Sequence, residues 1–141
     1  MLARINHIAI ISHQYPMLGK FYQSLYGMKP GDSPPESAVS YGDGNVGLQI
    51  LPRRDGYIAG LDHFGMLVED LGAVEERLRK HDGANIVKRP SSRPFAAYSA
   101  NDPDGNHFDL AEPQRGNLKE VYSLDGWDAE RWVNRYAIRT P

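Results

Sequence analysis

The stretch "NDPDGNHFDL", from Asn101 to Leu110, joins a turn to a short strand. Asp-Pro-Asp-Gly is typical of a turn, because Pro fixes φ, Gly tolerates positive φ and Asp side chains bond to nearby backbone. In the strand that follows, alternation places His107 and Asp109 on one face and Phe108 and Leu110 on the other. Two ionisable side chains on one face of a short strand indicate a functional site beside an apolar core.

Length and composition limit the classes of protein to consider. The chain has 141 residues, the size of one domain, and its net charge of −2 does not favour nucleic acid as a partner. The sequence has no apolar run of the roughly 18–20 residues that a membrane-spanning helix needs. Cysteine is also missing, which excludes disulfides, thiolate metal sites and Cys nucleophiles. Since the first residues have the pattern of a strand and not of a signal peptide, we expect a cytoplasmic protein.

The pattern along the chain predicts an α+β fold in which the order strand, helix, three strands occurs twice. Strands are indicated by Ile-rich or alternating runs between Gly, Pro and Ser, and helices by apolar residues at helical spacing. The first set covers residues 3–11, 15–27, 28–32, 38–42 and 46–51, and the second covers 60–70, 71–83, 85–89, 95–100 and 106–111.

The predicted helices have distinct apolar stripes. The first helix ends at Gly27 and the second is followed by Gly83, residues that suit helix C-termini. The stripe of the first is formed by Leu18, Phe21, Tyr22 and Leu25, and that of the second by Leu71, Val74 and Leu78. The tail, residues 113–141, is predicted to hold a final helix capped by Asp125, with a stripe of Ala129, Trp132, Val133 and Tyr136.

Four polar residues lie in strand-like, otherwise apolar surroundings: His7, Gln49, His63 and Asp109. Two imidazoles and a carboxylate from separate strands form a set that binds Fe, Mn, Zn, Ni or Co, and Gln49 could add a neutral oxygen. The alternative for each histidine is a hydrogen-bonded structural residue. Two histidines at equivalent positions of the two sets favour a metal site.

The same-face neighbours of these four residues are all small. They are Ala9 beside His7, Gly47 beside Gln49, Gly65 beside His63 and Ala111 beside Asp109. We interpret these small side chains as open space for a ligand. His107 shares the face of Asp109 and is a candidate catalytic or substrate-contacting group, and Arg93, in a basic loop, is a candidate for binding an anionic substrate.

Several motifs together resemble the vicinal oxygen chelate superfamily of glyoxalases, bleomycin-resistance proteins and extradiol dioxygenases. They are "INHIAI", "FYQSLYGM", "LDHFGMLVEDL" and "DPDGNHFDLAE". The resemblance covers residues 3–112 and implies two βαβββ modules, about 1–56 and 57–112, forming a curved, barrel-like mixed sheet round a metal pocket. It implies one domain over 1–112, a C-terminal extension over 113–141 and a homodimer. It also implies that the metal ligands are His7, Gln49, His63 and Asp109.

The resemblance implies a glyoxalase-like metal-dependent enzyme of the isomerase or lyase type, acting on a small oxygenated substrate chelated by a divalent ion. The candidates for its base are His107, Tyr98 and Glu36. Ring cleavage by an Fe(II) extradiol-type dioxygenase is an alternative, although Ser99 stands where those enzymes have Tyr. A protein that sequesters a drug or metabolite in the same cavity is the other alternative.

Overall fold

The computed structural model of the chain describes residues 3–31, 39–80, 86–88, 98–112, 124 and 126–128, and at 86–88 it describes the backbone. Within these residues the element order is strand, helix, three strands, twice, as predicted. The elements are β1 (Ala3–Ser12), α1 (Tyr15–Tyr26), β2 (Lys29–Pro30), β3 (Val39–Gly42), β4 (Gly47–Pro52), β5 (Gly60–Val68), α2 (Leu71–Arg79), β6 (Ile86–Lys88), β7 (Tyr98–Asn101) and β8 (His107–Ala111). The predicted α+β class with two helices is therefore confirmed for the described residues.

The chain forms two compact units that interleave along the sequence. One unit consists of Met1–Ile8 with His63–Leu118, and the other of Ala9–Asp62 with Lys119–Pro141. In the first unit the strand order is β1, β5, β8, β7, β6, with β5 and β8 parallel and β8, β7 and β6 antiparallel. In the second unit the order is β2, β3, β4, β1, and the first three of these strands pair antiparallel. β1 appears in both units because the boundary between them falls after Ile8, within this strand. Parallel and antiparallel pairs together make the sheet mixed, as predicted.

An apolar cluster covers one face of the sheet in the first unit. Phe108 and Leu110 of β8 are buried there beside Leu71 of α2. Phe64 of β5 stacks on Phe108 with ring centroids 5.6 Å apart, because the two residues are register partners. Tyr98 of β7 packs against the same cluster, as do Met66, Val74 and Leu78. This face was predicted to be core, and the predicted stripe of α2 lies on it.

Two carboxylates fix the N-terminus of α2. The side chain of Asp70 accepts a hydrogen bond from the backbone N–H of Ala73 at 3.0 Å, as an N-cap does. Glu112, the residue after β8, accepts a hydrogen bond from the N–H of Leu71 at 2.8 Å. The end of β8 is thus tied directly to the start of the helix, which holds the strand that carries Asp109.

Helix α1 buries its predicted apolar stripe only in part, since Leu18, Phe21 and Tyr22 are half-buried. Its buried residues are Gly19, Gln23 and Ser24, whereas Leu25 of the predicted stripe is 46% exposed. The cause is Gly19: a Cβ built there would lie 2.6 Å from Oη of Tyr41 on β3, so the missing side chain lets the helix approach the strand. The predicted cap at Gly27 is confirmed, since Gly27 has a φ of 65° and donates its N–H to the carbonyl of Gln23.

In the described part of the tail, Trp127 is hydrogen-bonded within the second unit. The indole Nε1 of Trp127 donates a hydrogen bond to the carbonyl of Gly27 at 2.7 Å, just past the end of α1. The backbone N–H of Trp127 donates to the carbonyl of Leu124 at 2.9 Å. The predicted final helix, with Asp125 and the stripe from Ala129 to Tyr136, lies outside the described residues. In the part of the chain that the structure describes, we find no helix with the length and apolar character that crossing a membrane requires.

Candidate metal centre

Three of the four predicted ligands come together in the first unit. His7 on β1, His63 on β5 and Asp109 on β8 are buried, with exposures of 1%, 9% and 2%. One ligand atom from each lies within 4.8 Å of the others. Nε2 of His63 is 3.1 Å and Nε2 of His7 is 3.6 Å from the same carboxylate oxygen, Oδ2 of Asp109. Two imidazoles and one carboxylate, far apart in sequence, therefore face one point.

The order of the strands explains this convergence. β5 lies between β1 and β8, and Gly65 of β5 is the register partner of Asp109. His63, two residues before Gly65, shares its face of the strand. The rings of His7 and His63 meet edge to face with centroids 5.4 Å apart. The opposite face of β5 and β8 is the apolar cluster, so alternation alone separates the site from the core.

Gly65 is small for a different reason from the one that the sequence suggested. A Cβ built on Gly65 would lie 2.6 Å from Nε2 of His7 and closer still to two other atoms of that ring. The space above Gly65 is therefore filled by the His7 imidazole, and the interpretation of this glycine as open ligand space is wrong. Gly65 leaves room for the imidazole of a candidate metal ligand, His7.

A second polar pair stands beside the three ligands. His107 of β8 and Ser99 of β7 lie on the same face as Asp109, because Ser99 is paired with Asp109 and His107 lies two residues before it. Oγ of Ser99 and Nε2 of His107 are 2.6 Å apart. The His107 ring lies 5.3 Å from that of His63, centroid to centroid, and its side chain is 31% exposed. His107 thus lies beside the ligands at a more exposed position.

The turn between β7 and β8, residues 102–106, fixes the register of these two strands. Oδ1 of Asp102 accepts hydrogen bonds from the N–H groups of Asp104 and Asn106, each at 2.9 Å. Its Oδ2 accepts one from the side-chain amide of Asn106 at 2.8 Å. These bonds, led by that of the Asn106 side chain, hold the pKa of Asp102 below its ordinary value. The hairpin places Asn101 opposite His107 and, two pairs further along, Ser99 opposite Asp109.

The remaining predicted site residues have different positions. Gln49 lies half-buried on β4 in the other unit, so its ligand role stays a prediction. Tyr98 packs against the apolar cluster on the face opposite to Asp109, which argues against a role as the catalytic base. Glu36 and Arg93 lie outside the described residues. Of the proposed bases, the structure brings His107 to the ligands.

Two residues of the site were not assigned a role from the sequence. Ser99 was noted only as a departure from a family pattern, and its contact with His107 depends on the pairing of β7 with β8. The role of Gly65 depends on β1 and β5 being neighbours. A signal existed for both, since Ser99 lies on the face of Asp109 in a hairpin and Gly65 lies on the face of His63.

The donor set fits a divalent transition-metal ion. Two neutral imidazoles and one carboxylate match the ligand types of Zn²⁺ and of two-His, one-carboxylate Fe(II) centres. Ligand atoms on one tetrahedral ion with bonds near 2.0–2.1 Å lie about 3.3 Å apart, and the 3.1 and 3.6 Å separations at Asp109 are close to this value. The set would give a bound divalent ion one unit of compensating negative charge.

Comparison with known proteins places the chain in a family. Residues 4–110 match the Glyoxalase/Bleomycin resistance protein/Dioxygenase superfamily, and the chain belongs to that superfamily. The resemblance seen in the sequence is thereby confirmed. No curated protein sequence matches the chain.

Solved structures share the fold at low sequence identity. The 2,3-dioxygenase LapB from Pseudomonas sp. KL28 has a TM-score of 0.59 and 16% identity over 77% of this chain and 40% of its own. BphC, a halotolerant catechol dioxygenase, has a TM-score of 0.62 and 14% identity over 79% of this chain and 40% of its own. Methylmalonyl-CoA epimerase from Mycobacterium tuberculosis has a TM-score of 0.57 and 18% identity over 77% and 87%. The chain thus spans about two fifths of each dioxygenase and most of the epimerase.

Proposed function

We propose that the chain is a metal-dependent enzyme of the isomerase or lyase type that acts on a small oxygenated substrate. The observation that carries the proposal is the convergence of His7, His63 and Asp109, three buried ligand groups from three strands, on one point. These residues would hold a divalent ion, and Gln49 is proposed as a fourth or displaceable ligand. A homodimer, as the family resemblance implies, is part of the same proposal.

The charge of the site supports this kind of chemistry. A bound divalent ion would act as a Lewis acid toward oxygen atoms of the substrate. Since Asp109 is the one carboxylate among the three ligands, the centre keeps a net positive charge that favours negative charge developing next to a carbonyl. His107, 3.7 Å from Oδ1 of Asp109, is the proposed group for hydrogen bonding to the substrate or for receiving its proton.

Proton exchange tests the proposal without requiring the full reaction. The protein is loaded separately with Fe, Mn, Zn, Ni and Co ions and mixed in D₂O with carbonyl compounds that have an acidic neighbouring C–H, methylmalonyl-CoA among them. We expect the proton NMR signal of that C–H to disappear with at least one ion. Asp109→Asn, which keeps the size of the side chain but removes its charge, should abolish the exchange. An ion-loaded protein that exchanges no proton in the panel contradicts isomerase or lyase chemistry.

A second candidate is ring cleavage of catechols by Fe(II). Two observations favour it: the two-His, one-carboxylate set and the fold shared with two dioxygenases. Oxygen uptake by the Fe(II)-loaded protein with catechol would support this candidate, and its absence would remove it. Protein that binds no ion at all would instead favour the sequestration of a drug or metabolite.

A further inference from the structure

One nitrogen atom in the site has two neighbours that compete for it. Nε2 of His107 lies 2.6 Å from Oγ of Ser99 and 3.7 Å from Oδ1 of Asp109. A neutral imidazole nitrogen has either one proton or one lone pair. In the tautomer whose Nε2 accepts the hydroxyl proton of Ser99, that bond uses the lone pair that a metal ion or a substrate proton would need.

The position of His107 is close to that of a ligand. Its distance of 3.7 Å from the Asp109 carboxylate is nearly equal to the 3.6 Å of His7, and both approach the spacing of about 3.3 Å between two ligands of one tetrahedral ion. His107 differs in facing Oδ1, whereas His7 and His63 face Oδ2. His107 is not among the three residues whose ligand atoms lie within 4.8 Å of one another, so its ring must move before Nε2 can bind the same ion.

We propose that Ser99 holds His107 beside the metal centre and outside its coordination sphere, and that without this hydroxyl His107 becomes a fourth protein ligand. The inference rests on the proposed metal site. Ser99 is thus a positioning residue, which acts through His107.

The interaction of Ser99 with His107 affects the open coordination position that a substrate would need on the metal ion. Catalytic metal sites have three protein ligands and an open position, whereas structural sites are closed by a fourth ligand. Among the three histidines at the site, His107 is the most exposed, with 31% of its side chain accessible against 9% for His63 and 1% for His7. It is therefore placed where an incoming ligand arrives, and the hydroxyl of Ser99 keeps that place open.

Titration with Co²⁺ tests the inference, because its visible absorption reports the number and type of ligands. Affinity and spectrum are compared for the wild type, Ser99→Ala, His107→Ala and the double variant, with Ser99→Thr as the control that keeps a hydroxyl. We expect Ser99→Ala to bind Co²⁺ about 10-fold or more tightly, within the range by which groups around metal ligands change affinity, and to show altered absorption bands. The His107→Ala, double and Thr variants should match the wild type.

The outcomes separate this inference from the proposed function. A wild type that binds no Co²⁺ contradicts the metal centre itself. A wild type that binds Co²⁺, with a Ser99→Ala variant of identical affinity and spectrum, overturns the role of Ser99 alone. A tighter affinity that persists in the double variant also overturns it, since the gain then does not come from His107. Thermal melts of the metal-free variants show that each is folded.

Discussion

Replacing Gly65 by alanine should weaken metal binding while every proposed ligand residue is still present. It therefore tests the placement of the ligands more specifically than removing one of them would. The new methyl group would occupy the space in which the His7 ring lies, because a Cβ at this position is 2.6 Å from Nε2 of His7 and nearer to two other ring atoms. The ligand residues themselves stay in the sequence, so an effect on metal binding must come from displacement of the ring.

The size of the displacement follows from the distances. Ordinary van der Waals contact begins at 3.4 Å, so Nε2 alone is 0.8 Å too close to the added carbon. Metal–ligand bonds tolerate deviations of about 0.2 Å. His7 therefore cannot keep a ligand position, and we expect Gly65→Ala to weaken metal binding by more than about 100-fold, beyond the effect of residues that only orient a ligand. The added methyl should also destabilise the fold by about 1–3 kcal/mol.

Gly19→Ala is the matched control. A Cβ at Gly19 would be 2.6 Å from Oη and 2.8 Å from Cζ of Tyr41, a clash of the same kind in the unit that does not contain His7, His63 or Asp109. We expect a loss of stability with unchanged metal affinity. Calorimetric titration with Zn²⁺ gives the affinity of both variants, and urea unfolding gives their stability. If Gly65→Ala binds Zn²⁺ as tightly as the wild type, the placement of His7 over this glycine is wrong.

Three further predictions concern the start of α2, a buried tyrosine on β3 and the turn before β8. Glu112→Ala should lower the free energy of unfolding by about 1 kcal/mol, because the N–H of Leu71 loses its acceptor; Glu112→Gln keeps an acceptor, and an equal loss in both variants would contradict this role. Burial raises the pKa of Tyr41, so the free energy of unfolding is highest below the ordinary pKa of about 10 and falls as pH rises through the folded pKa. Urea unfolding should show that Tyr41→Phe does not lose stability in this alkaline range. Asn106 lowers the pKa of Asp102, so the contribution of Asp102 to stability is present above its ordinary pKa near 4 and is lost as pH falls through the folded pKa. An Asp102→Ala variant whose stability depends on acid pH as the wild type's does would refute this contribution.

The candidate metal ligands can be identified in the sequence because local pattern is sufficient for this step. His7, His63 and Asp109 are polar residues in apolar strands, and alternation assigns each to a face without knowledge of the neighbouring strand. The turn from Asp102 to Asn106 was visible for a similar reason, since its residue types specify it. Of the predicted ligands, Gln49 gains no such support, because it lies in the other unit.

The remaining features depend on contacts between elements that are distant in sequence. Gly65 was interpreted as empty space, since its neighbour His7 comes from a strand more than fifty residues earlier. The predicted stripe of α1 is buried only in part, because Gly19 packs on Tyr41, a contact that requires a small residue. The contact of Ser99 with His107 requires the register of a particular hairpin.

Elemental analysis of the purified protein will show whether His7, His63 and Asp109 hold one divalent ion. Protein is purified without added metal and compared with Asp109→Asn and His63→Ala prepared in the same way, with thermal melts to establish that each is folded. We predict one divalent transition-metal ion per chain in the wild type and its loss in both variants. A folded wild type without such an ion, or variants that retain it in full, would show that these three residues do not form a metal centre.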